Sequence, residues 1–194
     1  DVYKRQPHYL QQFAEMGNAF AKKVIGIDNP KIGLLNVGSE PRKGSHLAIE
    51  SYSLIKDTGL NFIGNIEGND VITGKADVVV TDGFTGNVVI KTLEGLGEAV
   101  QKFKHLWGDI NKSSHVHGSA LLGSVEMDSW AKTMDFREYG GACLLGVKGN
   151  VIKAHGRSKA VAIKNAVSMA IQTVEGNIYS SILEEVKNGE HCRS

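Results

Sequence analysis

Two glycine-bounded turns carry the polar side chains best suited to chemistry in this sequence. Asp82–Asn87 (DGFTGN) holds Gly83 and Gly86, which let the backbone approach a ligand closely. Asn87 can donate two amide hydrogens without adding charge, which suits a phosphate oxygen or a developing oxyanion. The plain alternative is a simple turn in which Asn87 is the N-cap of the next helix, and spacing alone favours it. The glycine spacing matches neither a dinucleotide fingerprint nor a P-loop.

The second turn, Gly38–Gly44 (GSEPRKG), places Arg42 and Lys43 next to the predicted start of a helix. A cation there could hold phosphate and offset the charge that develops when phosphate attacks a thioester. Composition alone favours a solvated, basic loop tip. Two such turns at one sheet edge favour an anion site more than either turn does singly.

His155 follows a third predicted strand and could act as a general acid or base. A purely structural histidine is an equally good interpretation. His115 and His117 have metal-like spacing, but no cysteine or carboxylate cluster accompanies them. We therefore predict no metal site and no cofactor.

The elements that must position these turns follow the pattern of parallel βαβ units. A helix is expected from Pro7, another over Ser45–Lys56 and a third starting just after Asn87, with a long final helix from Lys159 to about Glu185. A weakly amphipathic segment should end near Met134. The predicted strands are Ile32–Val37, Asn61–Asn65, Asp77–Thr81, Ala142–Val147 and Val151–Ala154.

Composition narrows the range of functions. The chain has 194 residues, 41% of them hydrophobic and 22% charged, as expected of one globular domain. Its net charge of +1 provides no overall field to attract nucleic acid, so an anion must be bound by a local site. The two cysteines suggest no disulfide framework, which points to a reducing, cytoplasmic setting. No apolar run approaches the ~20 residues that a spanning helix needs.

Four blocks together resemble the phosphate acyltransferase PlsX family: LLNVGSEPRKG (34–44), NFIGNIEG (61–68), ADVVVTDGFTGNVVIKTLEG (76–95) and FREYGGACLLGVKGNVIKAHGRS (136–158). The resemblance implies a three-layer α/β/α fold with a mostly parallel sheet, similar to phosphotransacetylases and the isopropylmalate dehydrogenase group. It also implies a homodimer that transfers an acyl group from acyl carrier protein to inorganic phosphate, releasing acyl phosphate for phospholipid synthesis. Lys43 and Asn87 align with residues considered catalytic in that family.

The resemblance also implies the organisation of the chain. Residues 7–186 correspond to the C-terminal part of the family's domain, and its N-terminal half is absent. Residues 1–6 are expected to be a junction scar, and residues 187–194 a polar tail. A hairpin that touches the membrane peripherally corresponds to Lys112–Thr133, although this segment is more polar than such a hairpin should be.

The resulting hypothesis places phosphate between the two turns, held by backbone N–H groups and Lys43. Asn87 or Lys43 stabilises the oxyanion, and His155 is a further candidate for anchoring phosphate. The predicted phosphate- or substrate-binding residues are Gly38, Gly44, Asp82, Gly83, Gly86 and His155.

Two alternatives stay open. One is an enzyme that uses an acyl-coenzyme A. The other is a non-catalytic module for dimerisation or carrier binding, for which Phe103, Leu106, Trp107 and Ile110 could supply an interface. The same stripe could equally be buried in the domain's own core.

Overall fold

The computed structural model describes residues 6–111, 140–156 and 158–191. The chain divides into two compact units. Unit 1 comprises Asp1–Gly86, Cys143–Val151 and Ala170–Ser194, and unit 2 comprises Asn87–Ala142 and Ile152–Met169.

Helices and strands alternate through most of the described chain. The helices are α1 (Pro7–Phe20), α2 (His46–Lys56), α3 (Gly68–Thr73), α4 (Gly83–Asn111), α5 (Ala160–Glu175) and α6 (Ile178–His191), and a π-helical turn (Ala21–Ile25) follows α1. The strands are β1 (Ile32–Leu35), β2 (Phe62–Ile66), β3 (Val78–Val80), β4 (Gly141–Cys143) and β5 (Ile152–Ala154).

Unit 1 is built on a parallel sheet with the strand order β2-β1-β3. The connections from β1 to β2 and from β2 to β3 run in opposite directions along this sheet. Because crossovers between parallel strands are nearly always right-handed, α2 and α3 belong on opposite faces of the sheet. The predicted α/β class, with a parallel sheet between helical layers, is confirmed.

The core of unit 1 lies where α1 and α2 pack against the sheet. Central β1 has Ile32 and Leu34 almost fully buried, and Ile55 of α2 and Leu10 and Ala14 of α1 cover them. A second cluster joins Ala19 of α1 to Ile178 and Ile182 of α6. These two clusters fix α1 between the sheet and the C-terminal helix.

Among the described residues, unit 2 holds most of α4, the first two residues of β4, all of β5, and the first ten residues of α5. Gly140, immediately before β4, has a φ of 75°, and a Cβ there would collide with the α5 backbone at Ala162 and Ala166. Close packing against α5 therefore requires the glycine at this position.

The short helix α3 is absent from the sequence-based prediction. A local signal exists for it, because Asp70 accepts a hydrogen bond of 3.0 Å from the backbone N–H of Glu67, in the manner of a capping box. That bond and the Lys75 ammonium hold the pKa of Asp70 below its usual value.

Two helix boundaries differ from those predicted. The helix expected to start just after Asn87 begins at Gly83, because the Asp82 side chain caps it. The long final helix is broken into α5 and α6 at Gly176–Asn177, where Asn177 has a φ of 46°. Helix α6 continues to His191, within the segment predicted to be a polar tail.

Candidate active site

The two predicted turns leave neighbouring strands at the same edge of the sheet. Leu34 of β1 pairs with Val80 of β3 in parallel register, so the segments that follow both strands start side by side. The direction of the strand connections reverses around β1, and ligands of open α/β sheets bind beyond the carboxyl ends of strands at such a reversal. Unit 1 thus brings the Gly38–Gly44 turn and the Asp82–Gly86 turn to one edge.

Two asparagine carboxamides hold the Gly38–Gly44 turn in place. Asn36 Nδ2 donates to the backbone oxygen of Lys43 at 2.9 Å, and Asn36 Oδ1 accepts from the backbone N–H of Val37 at 2.8 Å. Asn65, at the end of β2, donates from Nδ2 to the backbone oxygen of Glu40 at 2.8 Å. These bonds tie the turn to the ends of β1 and β2.

Asn65 is 4% exposed, and its Oδ1 is buried without a hydrogen-bond partner in the described part of the chain. Sequence reasoning missed both asparagines. Both could have been noticed in the sequence, because each lies near the carboxyl end of a predicted strand. From that position a carboxamide can form hydrogen bonds to a neighbouring turn.

The backbone conformation at position 44 explains why the turn ends in glycine. Its φ is 93°, in the left-handed region, and a Cβ there would collide with the Asn36 carboxamide. A side chain at this position would therefore disturb the same group that bonds to Lys43. Gly38 is less restricted, because its Cβ would meet only the tip of the exposed Glu40 side chain, which can move away.

Lys43 projects its ammonium from the turn into solvent. Its side chain is 57% exposed, and Nζ lies 3.6 Å from Glu40 Oε1. Exposed ion pairs of this kind contribute little stability, so an incoming anion can compete with Glu40 for the ammonium at low cost. The structure therefore leaves Lys43 able to meet a phosphate.

Asp82 is the N-cap of α4. Its Oδ1 accepts from the backbone N–H groups of Phe84 and Thr85 at 2.9 and 3.2 Å, and its Oδ2 accepts from the Thr85 hydroxyl at 2.5 Å. The N–H of Gly86 donates to the Asp82 backbone oxygen at 2.9 Å. These contacts replace the N-cap that spacing alone placed at Asn87, and they use N–H groups that an anion would otherwise meet.

The remaining predicted site residues belong to unit 2. Asn87 is exposed and directly follows Gly86 in α4. His155 is half-buried in the turn after β5, where its backbone oxygen accepts from the N–H of Ser158 at 2.9 Å. The roles predicted for these two side chains stay predictions, as do those of Gly38, Gly44, Asp82, Gly83 and Gly86 in binding phosphate.

Some predictions concern residues that lie outside the described ranges. These are the hairpin at Lys112–Thr133, the segment ending near Met134, and His115 with His117. Within residues 6–111, 140–156 and 158–191, no group of three or more histidine, cysteine or acidic side chains could hold a metal ion. No helix in these ranges has the length and apolarity needed to cross a membrane.

Comparison with known proteins gives a consistent result. Residues 2–181 match the family described as "Fatty acid synthesis protein". The chain is 54% identical to a phosphate acyltransferase of Dehalococcoides mccartyi over 183 residues, covering 94% of this chain and 53% of that protein. It is also similar to the phosphate acyltransferases of Anoxybacillus flavithermus (46% identity; 93% and 54% covered) and Staphylococcus aureus (44%; 93% and 55%). The chain thus spans about half the length of these relatives.

Proposed function

This chain belongs to the Fatty acid synthesis protein family, and on that basis we propose that it carries the phosphate-binding turns of a phosphate acyltransferase. The reaction joins the acyl group of an acyl thioester to inorganic phosphate. The acyl donor we propose is acyl-acyl carrier protein, and the acyl phosphate formed serves phospholipid synthesis. Relatives that share 42–54% of their aligned residues with it are named phosphate acyltransferases, which supports the reaction class.

The observation that carries this proposal is the position of the Lys43 turn. It leaves β1 beside the turn that follows β3, and it presents an ammonium whose partner, Glu40, is itself exposed. A small anion placed beyond these strands would meet Lys43 and the exposed Gly83 end of α4. A helix N-terminus favours negative charge even when part of its N–H groups is capped.

In the proposed mechanism, a phosphate oxygen attacks the thioester carbonyl carbon. The carbonyl oxygen gains negative charge, which Lys43 or the Asn87 carboxamide offsets. The C–S bond then breaks, and the thiolate leaves on the carrier and takes a proton from solvent. Because a thiolate leaves readily, the mechanism needs no strong general acid. His155 is kept as a candidate for anchoring phosphate.

The test is made in a chain with the full length of the relatives. Lys43→Ala and Asn87→Ala should each lower turnover by about 10²–10³, the scale of losing one oxyanion donor. The matched control is Lys56→Ala, an exposed lysine at the end of α2, which should leave turnover unchanged. Near-normal turnover in both site variants would reject the assignment.

A donor comparison tests the carrier separately. Acyl-acyl carrier protein should give acyl phosphate faster than acyl-coenzyme A of the same chain length. The reverse order would indicate that acyl-coenzyme A is the donor. It would not contradict the proposed binding of phosphate at the two turns.

We also propose that the protein is a homodimer in the cytoplasm and that any membrane contact is peripheral. Light scattering of the full-length protein should give twice the mass of one chain. Helix α5 supports the dimer, since four apolar residues on one of its faces are half exposed. They are Ile163, Val167, Ile171 and Val174, with exposed fractions of 47–60%. Large apolar stripes of this kind are commonly covered by a partner.

A further inference from the structure

Unit 1 contains an apolar cavity that the proposed mechanism does not use. Its volume is about 450 Å³, within the ~300–1,000 Å³ usual for small-molecule sites. The lining comes from the middle of α1, the segment between β4 and β5, and α6. Met16, Leu145 and Ile182 give the cavity an apolar interior.

The described residues that line this cavity carry only positive charge. Lys148 is the one charged residue among the lining residues that the structure describes, and it lies on the exposed turn between β4 and β5. None of the lining residues within the described ranges is an aspartate or a glutamate. An apolar cavity bordered by an ammonium is complementary to a molecule with an apolar chain and an anionic head.

Exposed apolar side chains also border the cavity. Phe13, Leu144 and Leu183 are 42%, 52% and 41% exposed and all three line it. A ligand chain entering between them would cover apolar surface that is otherwise in contact with water.

We infer that this cavity binds the chain of a fatty acyl amphiphile, with its carboxylate or phosphate head beside Lys148. The choice of an acyl chain rests on the proposed function, because a phosphate acyltransferase handles a fatty acyl group and releases an anionic acyl phosphate. The residues that line the cavity are different from those of the Gly38–Gly44 and Asp82–Gly86 turns.

Chain-length dependence is the first test. Octanoate, decanoate and dodecanoate are titrated into the 194-residue chain by calorimetry, below the concentrations at which they self-associate. Affinity should rise by up to about fourfold per added methylene, the factor expected for burying one such group. Affinity that does not change with chain length would overturn the inference.

Charge reversal tests the head-group contact. Lys148→Glu should weaken dodecanoate and dodecyl phosphate binding by roughly five- to tenfold, and leave dodecanol binding unchanged. Lys56→Glu, an exposed lysine outside the lining, is the matched control and should change none of the three. The ratio between the two anions shows which head is preferred, and equal losses for dodecanol and dodecanoate would contradict the assignment.

An apolar-to-charged change tests the cavity itself. Leu144→Asp should weaken all three ligands by at least tenfold, whereas Ile72→Asp should not. Both residues are about half exposed, at 52% and 45%, so neither change buries a charge in the core. Equal effects from the two variants would show that binding is not in the cavity.

Cys143 provides a probe of occupancy, since it also lines the cavity. In a Cys192→Ser background, dodecanoate should slow alkylation of Cys143, half-maximally at its own dissociation constant. Alkylation that dodecanoate does not change would overturn the site. Failure here with Lys43-dependent acyl transfer intact would reject only the cavity, whereas loss of acyl transfer with ligand binding intact would reject only the proposed reaction.

Discussion

At the residue scale, the carboxamides of Asn36 and Asn65 hold the turn that carries the candidate cation Lys43. A lysine in a glycine-bounded turn can be recognised as a candidate cation from the sequence alone. Asn36 and Asn65 act through hydrogen bonds to backbone atoms seven and twenty-five residues away. Such partners depend on how the strands pair, which composition and periodicity do not specify.

Gly44→Ala should destabilise the protein more than Gly59→Ala. Both glycines have positive φ, 93° and 74°, where a Cβ costs about 1–2 kcal/mol. A Cβ at Gly59 meets nothing within 4 Å, whereas one at Gly44 meets the Asn36 carboxamide. Urea unfolding of the two variants measures the difference, and equal destabilisation would show that the Asn36 contact yields freely.

Cys143 should react slowly with alkylating reagents at neutral pH. Burial raises the pKa of its thiol, so the reactive thiolate forms only at higher pH. In Cys192→Ser protein, the alkylation rate should rise with pH and reach half its maximum above the ~8.5 of an unperturbed thiol. A midpoint at or below that value would contradict the burial seen at this position.

At the element scale, the three strands of the parallel sheet were predicted best. The predicted strands Ile32–Val37, Asn61–Asn65 and Asp77–Thr81 overlap β1, β2 and β3, since short strands separated by helices are typical of a parallel sheet. The predicted strand Ala142–Val147 is wrong beyond Cys143, where β4 ends. Helix boundaries were predicted less well, because they depend on caps. Asp82 starts α4 earlier than hydrophobic spacing indicated, and alanines spaced by four conceal the break at Gly176–Asn177.

Removing the α4 cap should lower stability. Asp82→Ala removes three hydrogen bonds from one carboxylate and should cost about 0.5–2 kcal/mol in the free energy of unfolding. Asp82→Asn should retain most of the stability, since asparagine also caps helices well. Asp28→Ala, at an exposed loop aspartate, is the control. Urea denaturation checks the order, and an unchanged midpoint in Asp82→Ala would mean that the cap does not stabilise α4.

The break between α5 and α6 can be tested by substituting Asn177, which has a positive φ. Asn177 is exposed with a φ of 46°. Asn177→Gly should therefore be within about 0.5 kcal/mol of the parent, whereas Asn177→Val should lose more than about 1 kcal/mol. Thermal unfolding separates these outcomes, and equal stability of the two variants would indicate that the helices join differently in solution.

At the scale of the whole molecule, family membership and α/β class follow from the sequence, whereas the division into two units does not. Strand and helix patterns are local, while a unit is defined by contacts between distant segments such as Asp1–Gly86 and Ala170–Ser194. The phosphate hypothesis depends chiefly on unit 1, which contains both turns and Lys43. That part can be tested on this chain alone.

The most direct measurement is a titration of the ¹⁵N-labelled chain with inorganic phosphate, followed by amide NMR. The largest saturable shifts should fall on the amides of residues 38–40, 42–44 and 83–86, and Lys43→Ala should abolish them while Lys56→Ala should not. Shifts confined to other parts of the chain, or identical shifts in the Lys43→Ala protein, would contradict it.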